Sequence, residues 1–259
     1  MATAYDPREL IVAVIARLAR GARVAAVGAQ SPVPGSGLFL AQAWAKAAGE
    51  APMQVIVLGS RNYYPFTDGG RELFNLAGQG RLDLFFLSGG QIDGEGNCNL
   101  VGTGSYPEAD VRFAGSFGSA YLYFTVPRVI LFREEHSRRV MVPKVDFISA
   151  PGTSPANHYR TGGPVALVTP LCLFAFDKQR RRFALESIHA GHSLEEVLDN
   201  TGFAFDRPAE VATTPPPTAT DLALMRSEIA AKIADAYPEF AAKLWGHANP
   251  AAGAPAPAA

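Results

Sequence analysis

Between residues 86 and 104 the sequence runs FLSGGQIDGEGNCNLVGTG. A short apolar run breaks at Gly89 and Gly90, and then Gln91, Asp93, Asn97 and Asn99 are set among four further glycines. Gln91 and Asp93 alternate, as do Asn97 and Asn99, so on an extended backbone each pair faces one side. Carboxamides both donate and accept, which suits a thioester carbonyl or an amide-bearing ligand. Glycines let main-chain amides approach an anion or a developing oxyanion. The plainer alternative is an Asx-rich turn that satisfies its own backbone. Cys98 lies between the two asparagines and should point the other way, into the core.

Other residues carry weaker signals. Ser60 and Arg61 follow an apolar run, VIVLGSRN, and suggest contacts to a thioester oxygen and a substrate carboxylate. A strand-end serine is also a common turn residue, and an arginine there also suits solvent. His189 and His192 are spaced HxxH with no further ligands clustered nearby, so no metal is expected. Arg138, Arg139 and His136 could attract phosphates or form a solvated turn. GSG at 35–37 matches neither the dinucleotide fingerprint nor the phosphate loop, which argues against a nucleotide cofactor.

The elements that position these residues read as α/β. Residues 7–20 have helical apolar spacing, with Asp6 as cap and Pro7 in the first turn. RVAAVG (23–28), the loop AQSPVPGSG (29–37), a helix over 38–50 and MQVIVLG (53–59) give strand, loop, helix, strand, hence a parallel sheet. A helix is expected over 71–80 and a strand over 81–90. Further strands are expected at 120–126, 128–132, 138–142 and 146–149, with 113–121 as a glycine-rich loop before the first of them. Residues 163–177 and 181–189 read as an antiparallel pair around KQRR, and 194–205 as a helix stopped by Gly202. In open parallel sheets ligands sit beyond the carboxyl ends of strands, which singles out the loops 29–37, 59–70 and 88–104.

The chain is 259 residues long, 48% hydrophobic and 18% charged, with formal net charge −1. Nothing in that balance suggests nucleic acid. No apolar run is long enough for a membrane helix, and MATAYDPREL lacks the features of a secretion signal. Two cysteines, Cys98 and Cys172, read as free thiols, which implies a cytoplasmic setting. The expected division is an α/β domain over 1–207, a linker and helix over 208–246 that Pro238 breaks or kinks, and a disordered Ala/Pro tail over 247–259.

SGGQIDGEGNCN, then VRFAGSFGSA, REEHSRRVMVPKVDFISAPG and LEEVLDNTGF, occur in an order and spacing that resemble the β subunits of family I CoA-transferases of the glutaconate type, over residues 8–207. The resemblance implies an open, mostly parallel sheet flanked by helices, like that of ribose-5-phosphate isomerase, with an antiparallel extension. It implies an α-type partner, an α2β2-like heterotetramer and an active site at the subunit interface. The substrate would be an acyl-CoA thioester, with coenzyme A entering as part of the substrate and no tightly bound cofactor. Substrate-binding residues would be Ser60, Arg61, Gly89, Gly90, Gln91, Asn97 and Asn99. The family's nucleophile is a Glu in a Glu-Ser-Gly motif ending a strand. Here Leu58 takes that place, followed by Gly59, Ser60 and Arg61. Asp68, Glu72 and Glu95 lack the motif's setting. Transfer of CoA between acids passes through an anhydride that only a carboxylate nucleophile can form. The region around GGQIDGEGN also resembles a hydrolase that opens a steroid ring and a 3-methylglutaconyl-CoA decarboxylase, neither of which needs that carboxylate here. Three further readings follow: a true transferase subunit, a non-catalytic subunit that completes its partner's pocket, and a stand-alone sugar-phosphate isomerase-like enzyme.

Overall fold

In the computed structural model the described residues are 4–67 and 69–246. Asp68 and the tail over 247–259, for which disorder was expected, lie outside them. In chain order the elements are α1 (Pro7–Ala19), β1 (Val24–Val27), α2 (Pro32–Ala47), β2 (Gln54–Val57), α3 (Arg71–Gly78), β3 (Leu84–Leu87), β4 (Gln91–Ile92), β5 (Cys98–Asn99), β6 (Gly102–Gly104), β7 (Ala109–Arg112), α4 (Ser119–Thr125) and β8 (Arg128–Phe132). They continue with β9 (Pro164–Val168), β10 (Cys172–Asp177), β11 (Arg182–Ile188), α5 (Leu194–Asn200), β12 (Ala212–Thr213), α6 (Ala219–Leu224), a π-helical turn Met225–Ile229, α7 (Ala230–Ala234) and α8 (Pro238–Trp245).

Backbone pairing orders eight strands as β12-β11-β10-β9-β8-β3-β1-β2. β1–β3, β3–β8 and β8–β9 run parallel, while β9–β10 and β10–β11 run antiparallel. This is the mostly parallel sheet with an antiparallel extension that the sequence implied. Among the described residues no helix is long and apolar enough to cross a membrane.

Chain contacts divide the molecule into two compact units, one of residues 1–21, 27–65 and 217–259, the other of 22–26 and 66–216. In the first, α1 begins with the expected cap: Asp6 accepts from the Arg8 amide, and Glu9 closes a capping box. Its apolar face packs on α2 so closely that a Cβ on Gly37 would meet Ile15 Cβ at 2.7 Å. Glu9 is 2% exposed. It receives both Arg226 Nε and Nη2 at 2.8 Å and the Trp245 indole at 3.1 Å. Burial alone would raise the Glu9 carboxyl pKa, but those donors and the Asp6 amide hold it below the ordinary value. The second unit is built on an aromatic cluster. Phe174 meets Phe205 edge-on at 5.0 Å and Phe176 meets Phe183 at 4.9 Å.

Several expected elements are corrected. The loop over 29–37 is mostly the first turns of α2. Pro32 sits where a missing N–H costs nothing, and the glycines allow close packing rather than a turn. Residues 120–126 form most of α4, not a strand: β3 and β8 are parallel, and parallel neighbours need a crossover. Residues 138–142 and 146–149 form no strand; that region makes only single bridges, Met141 to Ile92 and Ala150 to Cys98. Residues 163–177 are two strands, β9 and β10, with a turn between. The break expected in the C-terminal helix at Pro238 is present, since Pro238 opens α8; the π-helical turn over Met225–Ile229 was not expected.

Candidate functional site

The exit of β2 is a tight loop. Val57 N donates to Tyr63 O at 2.9 Å, and Gly59 takes φ +85°, a conformation that favours glycine. Ser60 is buried at the loop's centre. Its Oγ donates to the Asp235 carboxylate and accepts from Asn62 N at 3.2 Å and Tyr63 N at 2.8 Å. A hydroxyl has one proton and two lone pairs, so Ser60 is saturated. Asp235 also accepts from Arg61 N at 3.1 Å, Asn62 N at 3.2 Å and Asn62 Nδ2 at 2.7 Å. Ser60 is therefore the turn residue of the alternative reading, and the Arg61 side chain is exposed. The Leu58 amide donates to Val27 O at 3.1 Å. Asp235 was not foreseen: it is 175 residues from Ser60 in sequence, and nothing local marks it.

The glycine-rich stretch over 86–104 folds around a hairpin, β4 against β5. Gln91 and Asn97 are 6% exposed and Asn99 is fully buried. Asn99 Nδ2 donates to Gln91 Oε1 at 2.8 Å and to Gly102 O at 2.6 Å, and its Oδ1 receives Val101 N and Gly102 N. Gln91 Nε2 donates to Asp146 at 3.0 Å, and Gln91 Oε1 also accepts from Asp146 N. Asn97 Nδ2 donates to Asp93 and its Oδ1 accepts from Gly152 N at 3.0 Å. Each of these carboxamides already holds partners inside the chain, because buried amides cannot be left unpaired, and Asn97 also lines a cleft. Gly89 and Gly90 also answer to packing. A Cβ at Gly89 would meet Gln91 O at 2.7 Å, and one at Gly90 would strike the Phe113 ring. That contact lays loop 113–118 against the glycines that follow β3. On this loop Phe117 is 81% exposed with φ +45°.

The remaining candidates separate cleanly. His189 and His192 do not share a ligand. His189 lies between Thr214 Oγ1 at 2.8 Å and Thr169 O at 3.0 Å, while His192 pairs with Glu196. Among the described residues no cluster could hold a metal. His136 is buried between Thr169 and Thr201, so it does not join Arg138 and Arg139 in a phosphate site. Arg138 binds Asp199 O at 2.6 Å and Arg139 pairs with Glu135. Cys98 and Cys172 are free and buried, and burial raises both thiol pKa values, that of Cys172 to about 12, so neither is a nucleophile.

Comparison with known proteins places these features. Residues 55–200, more than half of the chain, match the coenzyme A transferase family. The B-type subunit of 3-oxoadipate CoA-transferase from Pseudomonas knackmussii is 31% identical over 57% of this chain and 59% of the relative. The B-type subunit of glutaconate CoA-transferase from Acidaminococcus fermentans is 34% identical over 56% of each. The IpdB subunit of the cholesterol ring-cleaving hydrolase from Rhodococcus jostii is 29% identical over 60% of this chain and 62% of the relative. The matched stretch thus spans about three fifths of each curated relative. In fold, the crystal structure of the decarboxylase AibA/AibB superposes over 94% of this chain and 100% of that one, with TM-score 0.74 and 24% identity. The matched residues include the loop after β2 and the whole β4–β5 hairpin, and on that span the chain belongs to the coenzyme A transferase family.

Proposed function

We propose that this chain is the B-type subunit of a two-subunit enzyme that acts on an acyl-CoA thioester without forming a covalent intermediate on its own carboxylates. The observation that carries the reading is the loop after β2. Where the family resemblance calls for a nucleophilic Glu, the chain has Leu58, Gly59 and Ser60. The carboxylate that reaches this loop, Asp235, is held by Ser60 Oγ, two main-chain amides and Asn62 Nδ2. A carboxylate so engaged is a poor nucleophile, because attack must first break those bonds. C–C cleavage or decarboxylation beside a thioester needs a polarised carbonyl and a base or placed water instead. An α-type partner supplies that base in this reading, and coenzyme A enters and leaves as part of substrate and product. Ser60 in the first unit, and Gln91, Asn97 and Asn99 in the second, then act as scaffold that fixes the main chain around them. A cytoplasmic setting fits the two buried free thiols.

A second reading, a true CoA-transferase subunit, is favoured by the names of two curated relatives. One experiment separates the two. The chain is co-expressed with an α-type subunit encoded beside it and given acyl-CoAs, with and without acceptor acids. Release of a ring-opened or decarboxylated CoA product, with no glutamyl or aspartyl thioester trapped by borohydride on this chain, is expected. A trapped thioester on this chain with robust exchange between acids overturns the first reading. Turnover by the lone chain on sugar phosphates would overturn both.

A further inference from the structure

We propose that a basic cleft within the second unit is a separate binding site for a small anion carrying two or more phosphate groups. The cleft encloses about 610 Å³ and is lined by Lys144, Arg180, Arg181 and Arg182, with Asn97 and Ile148 on the facing wall. That volume lies within the usual range for small-molecule sites. It stands at the amino ends of the parallel strands: Lys178, in the β10–β11 turn, binds Pro127 O just before β8, and a Cβ on Gly96 would touch Pro164 at the start of β9. The ligand loops of open parallel sheets lie at the opposite, carboxyl ends. The acyl-CoA reading therefore does not account for this cleft, and the proposal does not rest on that reading.

Arg181 carries the argument. Asp177 Oδ1 accepts from Gln179 N at 2.8 Å and Arg180 N at 2.9 Å, closing the turn, and Arg181 then takes φ +56°. In such hairpins the left-handed position is the one that glycine or asparagine fills without strain. An arginine held there, in the lining of a cleft, is a strained residue of the kind found at binding sites. The surroundings preorganise it. Arg181 Nη2 donates to Ser154 O at 2.5 Å, and Arg180 and Arg182 share Asp206 at 3.1 and 3.2 Å. Lys144 is exposed and has no ion pair among the described residues. Of the acids in the wall, Asp93 already receives Glu95 N, Asn97 N, Asn97 Nδ2 and Val145 N. Glu95 is the exposed carboxylate that opposes the cations. Arg180 and Arg182 are offset by Asp206, whereas among the described residues no carboxylate pairs with Lys144 or Arg181, so these two cations can each meet a phosphate group, and guanidinium forks suit phosphate oxygens. Ile148, 48% exposed, offers an apolar surface for an organic body.

The test uses the full chain, titrated calorimetrically with pyrophosphate and with adenosine 3′,5′-diphosphate at low and high salt. Saturable, salt-sensitive binding of at least one probe is expected. Arg181→Gly should leave the melting temperature unchanged or raise it, while weakening binding about tenfold or more, since glycine relieves the turn and removes the guanidinium. Arg181→Asn, which also tolerates the left-handed conformation, repeats the measurement should the glycine variant fold poorly. Equal binding of both probes assigns the site to phosphate groups alone, and preference for the nucleotide assigns it to a phosphorylated nucleoside. Absence of binding by either probe, or unchanged affinity in both Arg181 variants, overturns the proposal.

Discussion

Asp235, in the residues between α7 and α8, binds Ser60 at the exit of β2 and fixes the conformation of residues 60–63. The family match ends at residue 200, so this loop depends on a segment the family pattern does not describe. Asp235→Ala would strand a buried hydroxyl and two amides, at about 2 kcal/mol. Asp235→Asn keeps the size but offers one acceptor oxygen where two now serve four donors. It should speed amide exchange at Asn62 and Tyr63 by at least tenfold while leaving exchange in α1 unchanged. Unaltered protection of those two amides would show that the carboxylate does not hold the loop.

Asn99 is the centre of the β4–β5 hairpin: its two amide atoms hold four partners with no solvent access. Asn99→Ala should cost about 3 kcal/mol or more, because two main-chain amides and the Gln91 carbonyl oxygen lose bonds at once. Asn97→Ala should cost less, since its hairpin keeps the Asp93 bonds to Glu95 N and Val145 N. Urea denaturation of the two variants checks the order. Asn99→Ala with native stability would return this residue to the set of ligand contacts.

Local signals in the sequence carried the parts of the fold that are locally determined. Asp6, Pro7 and the apolar spacing set α1 because capping and amphipathicity act within one turn. The runs at 24–27, 54–57 and 84–87 were legible because strands buried on both faces are continuously apolar. Residues 119–125 failed because Tyr, Phe and Thr favour strands, while the crossover between β3 and β8 requires a helix, and topology outweighs propensity. At 32–37 prolines and glycines are equally at home in a loop and in a first helical turn packed against Ile15. The candidate site was half legible. The polar residues of the hairpin stood out by type, but whether an amide faces ligand or backbone depends on Gly102, Asp146 and Gly152, which sequence spacing does not place beside it. The Ser60–Asp235 contact spans 175 residues and left no trace in either local stretch.

Gly37→Ala tests the close approach of α1 and α2. The added methyl would meet Ile15 Cβ at 2.7 Å and Val12 O at 3.1 Å, so the helices must separate rather than one side chain turn away. Alanine favours helices over glycine by about 1 kcal/mol, but overpacking at a contact this short costs about 2–3 kcal/mol. A net fall in melting temperature is expected. A rise would mean that propensity outweighs packing and that the interface is looser than the distances imply.

His136 and His189 share one residue: His136 Nδ1 pairs with Thr169 Oγ1 at 2.8 Å and His189 Nε2 with Thr169 O at 3.0 Å. A carbonyl only accepts, so His189 carries its proton on Nε2 and its Nδ1 accepts from Thr214. Burial lowers both imidazole pKa values to about 4; for His136 the nearby Glu196 opposes the shift, and His189 and His192 add to it. Between pH 6.5 and 4 the unfolded chain therefore binds protons that the folded chain refuses. Stability rises with pH across that window, is complete above it, and is lost as pH falls through it, by on the order of 3 kcal/mol per histidine. Below pH 4 both states are protonated and this slope vanishes. Urea midpoints should fall steadily from pH 7 to pH 5, before the lowered carboxyls of Asp6, Asp83 and Glu135 begin to add their own loss of stability as pH falls further. His189→Gln, whose amide can still donate to Thr169 O and accept from Thr214, should remove about half of that slope. A midpoint independent of pH between 7 and 5, or an imidazole of either residue that titrates near 6.5 by NMR, would mean that these rings are solvated rather than sealed beside Thr169.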